Sequence, residues 1–242
     1  MFKFLKNNMN NEEVNLTNDA YSLHRILKTD IKKDLKVEED EIIFGCGCFW
    51  GAEKCFWKLP GVVSTSVGYA GGEKNNPTYY EVCSGLTGHS EVVRVIWDKR
   101  EIDVSDLLKM FWECHDPTQK NRQGNDIGTQ YRSAIYYKNE NNTKIILASK
   151  EQYQTELSKK NLGLIETEIK MINSYFFAEH YHQQYLASVG SRQYCSASPT
   201  KVKLGVFTGS NYKLKDYIWE NFNWEVDKCV LRSDNNPIKN SI

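Results

Sequence analysis

The sequence predicts an α+β fold, a two-layer sandwich in which helices pack against a mixed β-sheet. Short runs rich in β-branched residues are interspersed with longer segments whose apolar residues recur at helical spacing. Some strands follow one another with no helix between them, which favours α+β over a purely parallel sheet. With 242 residues, 40% of them apolar, the chain is long enough to bury the core that such a sandwich requires.

The predicted strands are short apolar runs bounded by glycine, proline or polar turns. They cover residues 41–45, 62–67, 91–97, 133–137 and 164–171. In the last strand Ile165, Ile169 and Met171 lie on one face, and we expect that face to be buried.

Three central helices are predicted from apolar stripes with a spacing of three or four residues. They cover residues 48–59, 106–114 and 143–162. Pro60 ends the first helix and Gly163 the last. Because the first helix follows directly on the strand 41–45, Cys48 lies at a strand-to-helix turn.

Composition changes at both ends of the chain, so we divide the sequence into four parts. Residues 1–16 are rich in Asn and Glu and are predicted to be disordered. Residues 17–38 are predicted to hold an accessory amphipathic helix, over 17–35, because apolar residues recur there at helical spacing. Residues 39–200 form the predicted main domain, and residues 201–242 form a C-terminal extension with a second amphipathic segment.

Charge and cysteine content exclude several classes of protein. The 31 basic and 31 acidic residues cancel, so we expect no binding to nucleic acid or to an anionic membrane through bulk charge. No apolar run approaches the roughly 20 residues that span a bilayer, and the first residues are too polar for a signal peptide. Seven cysteines, an odd number, fit neither a disulfide framework nor a paired zinc site. We therefore expect a cytoplasmic protein in which some thiols are reactive.

The segment from Gly45 to Gly51, which reads GCGCFWG, allows several interpretations. A dinucleotide-binding turn has glycines between a strand and a helix, but it needs a small residue where the tryptophan stands. A metal site on Cys46 and Cys48, completed by His115 or His182, lacks the second close pair of cysteines that is typical of such sites.

A third interpretation makes Cys48 a nucleophile. Free N–H groups and the positive dipole at the start of a helix stabilise a thiolate, so this position is expected to lower the thiol pKa. The alternative is that Cys48 is a buried, inert thiol, which is the most common state of a free cysteine. Spacing alone does not decide between the two.

The residues Gly47-Cys48-Phe49-Trp50-Gly51 resemble the signature of the peptide methionine sulfoxide reductase A family. Further segments that are similar to family blocks follow in order, over about residues 41–195. They include Gly68-Tyr69-Ala70-Gly71-Gly72, Thr87-Gly88-His89-Ser90-Glu91, His115-Asp116-Pro117, residues 123–133 and His182-Gln183-Gln184-Tyr185-Leu186.

The resemblance implies a role for each matching residue and, for the fold, a ferredoxin-like core. Cys48 matches the family's nucleophile, Glu91 its proton donor and Cys195 its recycling thiol. The substrate-binding positions are matched by Phe49 and Trp50, which surround the substrate methyl group, Tyr79 and Tyr131, which hold the sulfoxide oxygen, and Asp126, which supports the site. Glu91 must be protonated to act as a donor, which requires poor solvation.

The implied reaction is thiol-dependent reduction of the S epimer of methionine sulfoxide, free or in oxidised proteins. Cys48 becomes a sulfenic acid, which a second thiol converts to an intramolecular disulfide, and thioredoxin reduces that disulfide. The resemblance implies no metal and no other cofactor, and we expect a monomer that repairs proteins under oxidative stress. The alternative is a non-catalytic module on the same fold that binds sulfoxide or thioredoxin.

The sequence departs from the family pattern at two places, and both concern thiols. Many members have a second recycling cysteine in a glycine-rich tail, whereas here only Cys229 follows Cys195, and its surroundings are unfamiliar. Cys46 stands where glycine or alanine is usual. Cys46 and Cys229 are therefore possible auxiliary thiols. The other three cysteines, Cys55, Cys83 and Cys114, are expected only to pack.

Overall fold

The computed structural model describes residues 22–226 and 228–240. Its strands are Glu39–Cys46 (β1), Val62–Ala70 (β2), Ser90–Asp98 (β3), Arg122–Gln123 (β4), Asp126–Ile127 (β5), Ser133–Tyr137 (β6), Glu168–Met171 (β7) and Tyr175–Phe177 (β8). Its α-helices are Phe49–Trp57 (α1), Tyr79–Cys83 (α2), Val104–Cys114 (α3), Thr143–Lys159 (α4), Asp216–Trp219 (α5) and Cys229–Arg232 (α6). No helix in the described part of the chain is both long and apolar enough to cross a membrane.

Six strands form one mixed sheet in the order β7-β6-β1-β3-β2-β8. All neighbouring strands are antiparallel except β6 and β7, which are parallel. The strands β4 and β5 form a separate two-stranded ribbon that carries Asp126. The predicted α+β class is therefore confirmed.

The main hydrophobic core lies between one face of the sheet and the helices α1, α3 and α4. Phe44 of β1 shows how the two layers meet, because its ring stacks on Phe56 of α1 at 4.8 Å and on Phe111 of α3 at 5.0 Å. Burying an aromatic side chain of this size stabilises a fold by about 1.5–3 kcal/mol. The opposite face of the sheet has a smaller apolar cluster, around Ile43, Val92 and Tyr136.

The predicted N-terminal helix is wrong where the structure describes it, over residues 22–35. The chain instead doubles back, with a bridge between Leu23 and Asp30. The cause is local, because the His24 imidazole accepts hydrogen bonds from the N–H groups of Ile26 and Leu27, and these bonds replace those of a helix. Residues 1–21 lie outside the described residues, so the predicted disorder over 1–16 stays a prediction.

One further expectation, the buried face of the strand predicted over 164–171, needs correction. Met171 is 53% exposed because β7 is an edge strand of the sheet, although Ile165 on the same predicted face is buried. Apolar residues of the C-terminal extension contribute to the main core, namely Val202, Leu204, Phe207, Leu214, Ile218, Phe222 and Val230.

Candidate active site

The turn between β1 and α1 presents Cys48 as the N-cap residue of α1. Gly47 precedes it with a φ of +85°, in the left-handed region. A Cβ at Gly47 would lie 2.5 Å from Cβ of Gln123, so both the backbone conformation and the close packing require glycine there. Cys48 is only 7% exposed, at the edge of the buried core.

Burial raises the pKa of the Cys48 thiol well above its usual value, and the nearby Glu91 carboxyl raises it further. The backbone N–H of Trp50, in the first turn of α1, favours the thiolate but does not compensate. The predicted lowering of this pKa by the start of the helix is therefore wrong. Desolvation of the anion outweighs the helix dipole, so Cys48 is a protonated thiol at neutral pH.

Glu91 reaches the same turn from the neighbouring strand. Along β3 it shares the parity of Val93, Val95 and Trp97, which places it on the face covered by helices. Its Oε2 accepts a hydrogen bond from the backbone N–H of Phe49 at 3.2 Å. The pKa of Glu91 is raised to about 8, and burial is the largest cause. The charge of Asp126 also raises this pKa, whereas the hydrogen bond from the Phe49 N–H opposes the shift. The carboxyl therefore keeps its proton near neutral pH, as a proton donor requires.

Two phenols and one carboxylate surround Glu91. Burial and the neighbouring Glu91 raise the pKa values of Tyr79 and Tyr131, so both hydroxyls stay protonated and can donate hydrogen bonds. Asp126, on the ribbon strand β5, accepts a hydrogen bond from the Tyr194 hydroxyl at 2.6 Å. Cys83, which was expected only to pack, lies beside Tyr79 and interacts with Glu91.

The aromatic wall of the site is built from α1 and from the segment that follows β8. Trp50 is half-buried and stacks on Tyr185, with ring centroids 3.9 Å apart. Its indole N–H donates to Nδ1 of His182 at 3.1 Å. Phe49 is fully buried and its ring centroid lies 5.2 Å from that of His182.

Sequence reasoning missed three residues that position the side chains of this site. His182 and Tyr185 belong to a motif that the resemblance singled out, but Tyr185 was assigned no role and His182 was considered only as a metal ligand. Glu179 had no sequence signal: its carboxylate accepts from the backbone N–H of Tyr79 at 2.9 Å and from the hydroxyl of Tyr69 at 2.8 Å. It ties the start of α2 to the sheet and so fixes the position of Tyr79.

Cys195 is buried directly against α1. A Cβ on Gly51 would lie 2.4 Å from Sγ of Cys195, so the missing side chain of this helical glycine provides the space for the thiol. The next residue, Ser196, accepts a hydrogen bond from the backbone N–H of Cys48 at 3.3 Å. Burial raises the pKa of Cys195 to about 12. The structure thus brings both predicted redox cysteines to the same end of α1.

The two auxiliary thiols lie in different surroundings. Cys46, the last residue of β1, is buried, and burial raises its pKa while a contact with Cys114 lowers it. Cys229, the first residue of α6, is half-buried, and it interacts with Cys195 and Cys55. Of the two, Cys229 is the more accessible from the surface.

One group of possible metal ligands occurs among the described residues. The ligand atoms of Cys46, Cys114 and His115 lie within 4.8 Å of one another. However, Nδ1 of His115 faces the carbonyl oxygen of Phe111 at 2.7 Å and must donate to it, so Nε2 accepts from Ser133 at 2.8 Å. Both ring nitrogens are used, and burial lowers the His115 pKa to about 4. Cys48 is not part of this group, so the metal site considered from the sequence is not assembled.

Comparison with known proteins identifies the family of this chain. Residues 40–213 match the sequence model of the family described as peptide methionine sulfoxide reductase. The chain belongs to this family. The matched span begins one residue after the predicted start of the main domain, at 39, and ends beyond its predicted end at 200.

Curated and solved members of the reductase family match over most of this chain. The peptide methionine sulfoxide reductase MsrA of Vibrio vulnificus is 54% identical over 180 residues, which is 74% of this chain and 86% of the relative. Methionine sulfoxide reductase A of Corynebacterium diphtheriae superposes with a TM-score of 0.64 at 42% identity, covering 76% of this chain and 89% of that one. Mxr1 of Saccharomyces cerevisiae in its reduced form superposes with a TM-score of 0.62 at 34% identity, covering 68% of this chain and 92% of that one.

Proposed function

We propose that this reductase converts the S epimer of methionine sulfoxide to methionine, with Cys48 as the nucleophile and Glu91 as the proton donor. One observation carries the assignment of roles. The buried thiol and a carboxyl that holds its proton to about pH 8 meet at one end of α1, where the Phe49 N–H binds the carboxyl. The chemistry needs thiols and a carboxylic acid, and it calls on no metal, flavin or nucleotide.

The first step reduces the substrate and oxidises Cys48 by two electrons. Sγ of Cys48 attacks the sulfoxide sulfur, which pushes electron density onto the oxygen, and Glu91 protonates that oxygen as the S–O bond weakens. The oxygen ends on Cys48 as a sulfenic acid and methionine leaves. The proton that Cys48 gives up restores the proton of Glu91, so the carboxylic acid is regenerated.

The surrounding residues stabilise and orient the substrate. The hydroxyls of Tyr79 and Tyr131 donate to the sulfoxide oxygen as it becomes more negative, an arrangement like an oxyanion hole. Asp126, held by Tyr194, supports this polar side of the pocket. Phe49 and Trp50 contact the methyl group, and this asymmetric arrangement explains preference for one epimer.

Recycling begins when the Cys195 thiol attacks the sulfenic acid, which forms the Cys48–Cys195 disulfide and releases water. The packing of Cys195 against Gly51, next to the turn that carries Cys48, supports its assignment. Both sulfur atoms are buried, so an external dithiol reaches them poorly. A surface thiol that exchanges with the disulfide would solve this problem.

Cys229 is the better candidate for that exchange. Contacts to the C-terminal tail hold it next to α1: Nζ of Lys54 donates to the carbonyl oxygen of Ser233 at 2.7 Å, and the indole N–H of Trp57 donates to that of Asn235 at 3.0 Å. Attack by Cys229 on Cys195 forms a Cys195–Cys229 disulfide and frees Cys48. Cys46 is fully buried beside Cys114, which leaves it a lesser auxiliary thiol.

The wider role follows from this chemistry. We infer that thioredoxin supplies the electrons, that oxidised proteins and free methionine sulfoxide are substrates, and that the protein acts as a monomer in the cytoplasm during oxidative stress. The equal numbers of basic and acidic residues give no reason to expect nucleic acid or membrane as a partner.

The test is a turnover assay with the separate S and R epimers of a blocked methionine sulfoxide, with dithiothreitol as reductant. Wild type should reduce the S epimer only, and Cys48→Ser should abolish the activity. Reduction of both epimers, or activity that survives in Cys48→Ser, would contradict the proposal.

A further inference from the structure

The segment 22–31 lies outside the span matched by the family model, yet it contacts a turn next to the candidate active site. It touches the turn of residues 182–185, which carries the aromatic wall. The backbone N–H of Arg25 donates to Oε1 of Gln184 at 3.2 Å, and Nε of Arg25 donates to the carbonyl oxygen of Gln183 at 3.3 Å. A part of the chain that sequence reasoning treated as accessory thus holds this turn from outside.

Glu53 of α1 holds the same turn from inside. Its Oε2 accepts from the backbone N–H of Gln184 at 2.8 Å, and its Oε1 accepts from the side-chain amide of Gln184 at 2.7 Å. Gln184 has a φ of +47°, a left-handed conformation that is unfavourable for residues other than glycine. The turn therefore depends on these contacts to keep its shape.

A directed chain of hydrogen bonds links the segment to Glu53. Nδ1 of His24 accepts from the N–H groups of Ile26 and Leu27, so Nε2 carries the hydrogen. Nε2 donates to Oγ1 of Thr65 at 2.8 Å, and Thr65 in turn donates to Oε1 of Glu53 at 3.0 Å. The side chains of His24, Thr65 and Glu53 are all buried, so a lost hydrogen bond would leave a buried polar group unpaired.

The turn fixes the ring of Trp50. Tyr185 stacks on it and His182 accepts its N–H, so a displaced turn removes both contacts at once. We propose that Thr65, through its bonds to His24 and Glu53, is a positioning residue that keeps Trp50 in the orientation that binds the sulfoxide methyl group. This inference rests on the proposed function. It assigns Thr65 to substrate affinity rather than to the chemical step, because neither Cys48 nor Glu91 takes part in this series of hydrogen bonds.

The test compares three threonine variants by single-turnover methionine formation at increasing concentrations of the S epimer, without reductant. Thr65→Val keeps the shape and removes both hydrogen bonds, so the half-saturating concentration should rise about three- to tenfold, while the maximal rate stays within about twofold of wild type. Thr65→Ser keeps the hydroxyl and should behave like wild type.

Thr29→Val is the matched control. Thr29 anchors the same segment, since its hydroxyl donates to the carbonyl oxygen of Val63 at 2.8 Å, and it forms no hydrogen bond with the 182–185 turn. Its half-saturating concentration should not change. Arg25→Ala provides a second, exposed variant for the case that Thr65→Val does not fold, and it should raise the half-saturating concentration about two- to threefold.

Each outcome decides the inference. A rise in Thr65→Val that is absent in Thr65→Ser and Thr29→Val supports it. An unchanged half-saturating concentration in Thr65→Val and Arg25→Ala, an equal rise in Thr29→Val, or a fall confined to the maximal rate overturns it. Failure of the proposed function can be distinguished from failure of this inference, because the wild type itself would then form no methionine.

Discussion

Oε2 of Glu91 accepts the backbone N–H of Phe49, the residue that follows Cys48, at 3.2 Å. The proposed proton donor and the proposed nucleophile therefore meet at the first turn of α1. Both are buried, so each holds its proton more tightly than it would in water. A neutral thiol next to a neutral carboxylic acid is a resting state that avoids a buried charge, and it is ready to protonate a sulfoxide oxygen.

Because the pKa of Glu91 is raised in the folded protein, the protein should become less stable as the pH rises. An unfolded Glu91 ionises above about pH 4.5, whereas the folded one keeps its proton up to about pH 8. The folded state then binds more protons, so the free energy of unfolding falls as pH rises between these values. At about 1.4 kcal/mol per pKa unit, the loss is several kcal/mol at most.

Glu91→Gln should therefore be more stable than wild type at pH 8 and about equally stable at pH 5. The amide oxygen of glutamine can still accept the Phe49 N–H, so the hydrogen bond is kept. Urea denaturation of both proteins at the two pH values measures the difference. A difference that is the same at pH 5 and pH 8 would show that Glu91 does not carry a raised pKa.

Gly51→Ala should slow recycling while sparing reduction of the substrate. The added Cβ would lie 2.4 Å from Sγ of Cys195, and overpacking of this kind costs about 1–3 kcal/mol. Methionine release in the first turnover should be close to wild type. The Cys48–Cys195 disulfide should form about tenfold more slowly, and a sulfenic acid probe followed by mass spectrometry should label Cys48.

Gly163→Ala is the control for that experiment. A Cβ at Gly163 would lie 3.4 Å from Cβ of Thr118, which is an ordinary contact distance, and no cysteine atom is among its nearest neighbours. This variant should recycle normally. If Gly51→Ala forms the disulfide as fast as Gly163→Ala, the packing of Cys195 against Gly51 has no role in recycling.

Cys229→Ser should affect only turnover that is supported by thioredoxin. Methionine formation in the first turnover should match wild type, because Cys48 and Cys195 are unchanged, whereas the steady-state rate should fall about tenfold or more when the disulfide stays buried. Cys46→Ser is the matched comparison and should leave the steady-state rate unchanged. The reverse order of effects would assign the exchange to Cys46.

The central part of the fold could be predicted from the sequence because its signals are local. The strand before Cys48 and the helix after it are confirmed, since a run of apolar residues and the glycines around the turn determine both. The prediction of an N-terminal helix was wrong because apolar residues at helical spacing can also occur in a loop. There Ile31 is buried and Leu23 is exposed, and the His24 imidazole supplies the hydrogen bonds.

The electrostatics and the support of the site could not be predicted, because both depend on contacts between distant residues. Burial raises the Cys48 pKa, and sequence position does not reveal burial. The helix dipole alone therefore predicted a pKa shift in the wrong direction. Glu179 acts on Tyr79 from 100 residues away. The reason for a glycine at position 51 lies in Cys195, which follows it by 144 positions in the sequence.

The most direct test of the account is the first-turnover rate of methionine formation from the S epimer in Glu91→Gln, without reductant. We predict a loss of about 10²- to 10⁴-fold, the usual contribution of a general acid. Cys48 should meanwhile be alkylated at lower pH than in wild type, because the variant lacks the negative charge that raises the thiol pKa. Methionine formation at the wild-type rate in Glu91→Gln would contradict the assignment of Glu91 as the proton donor.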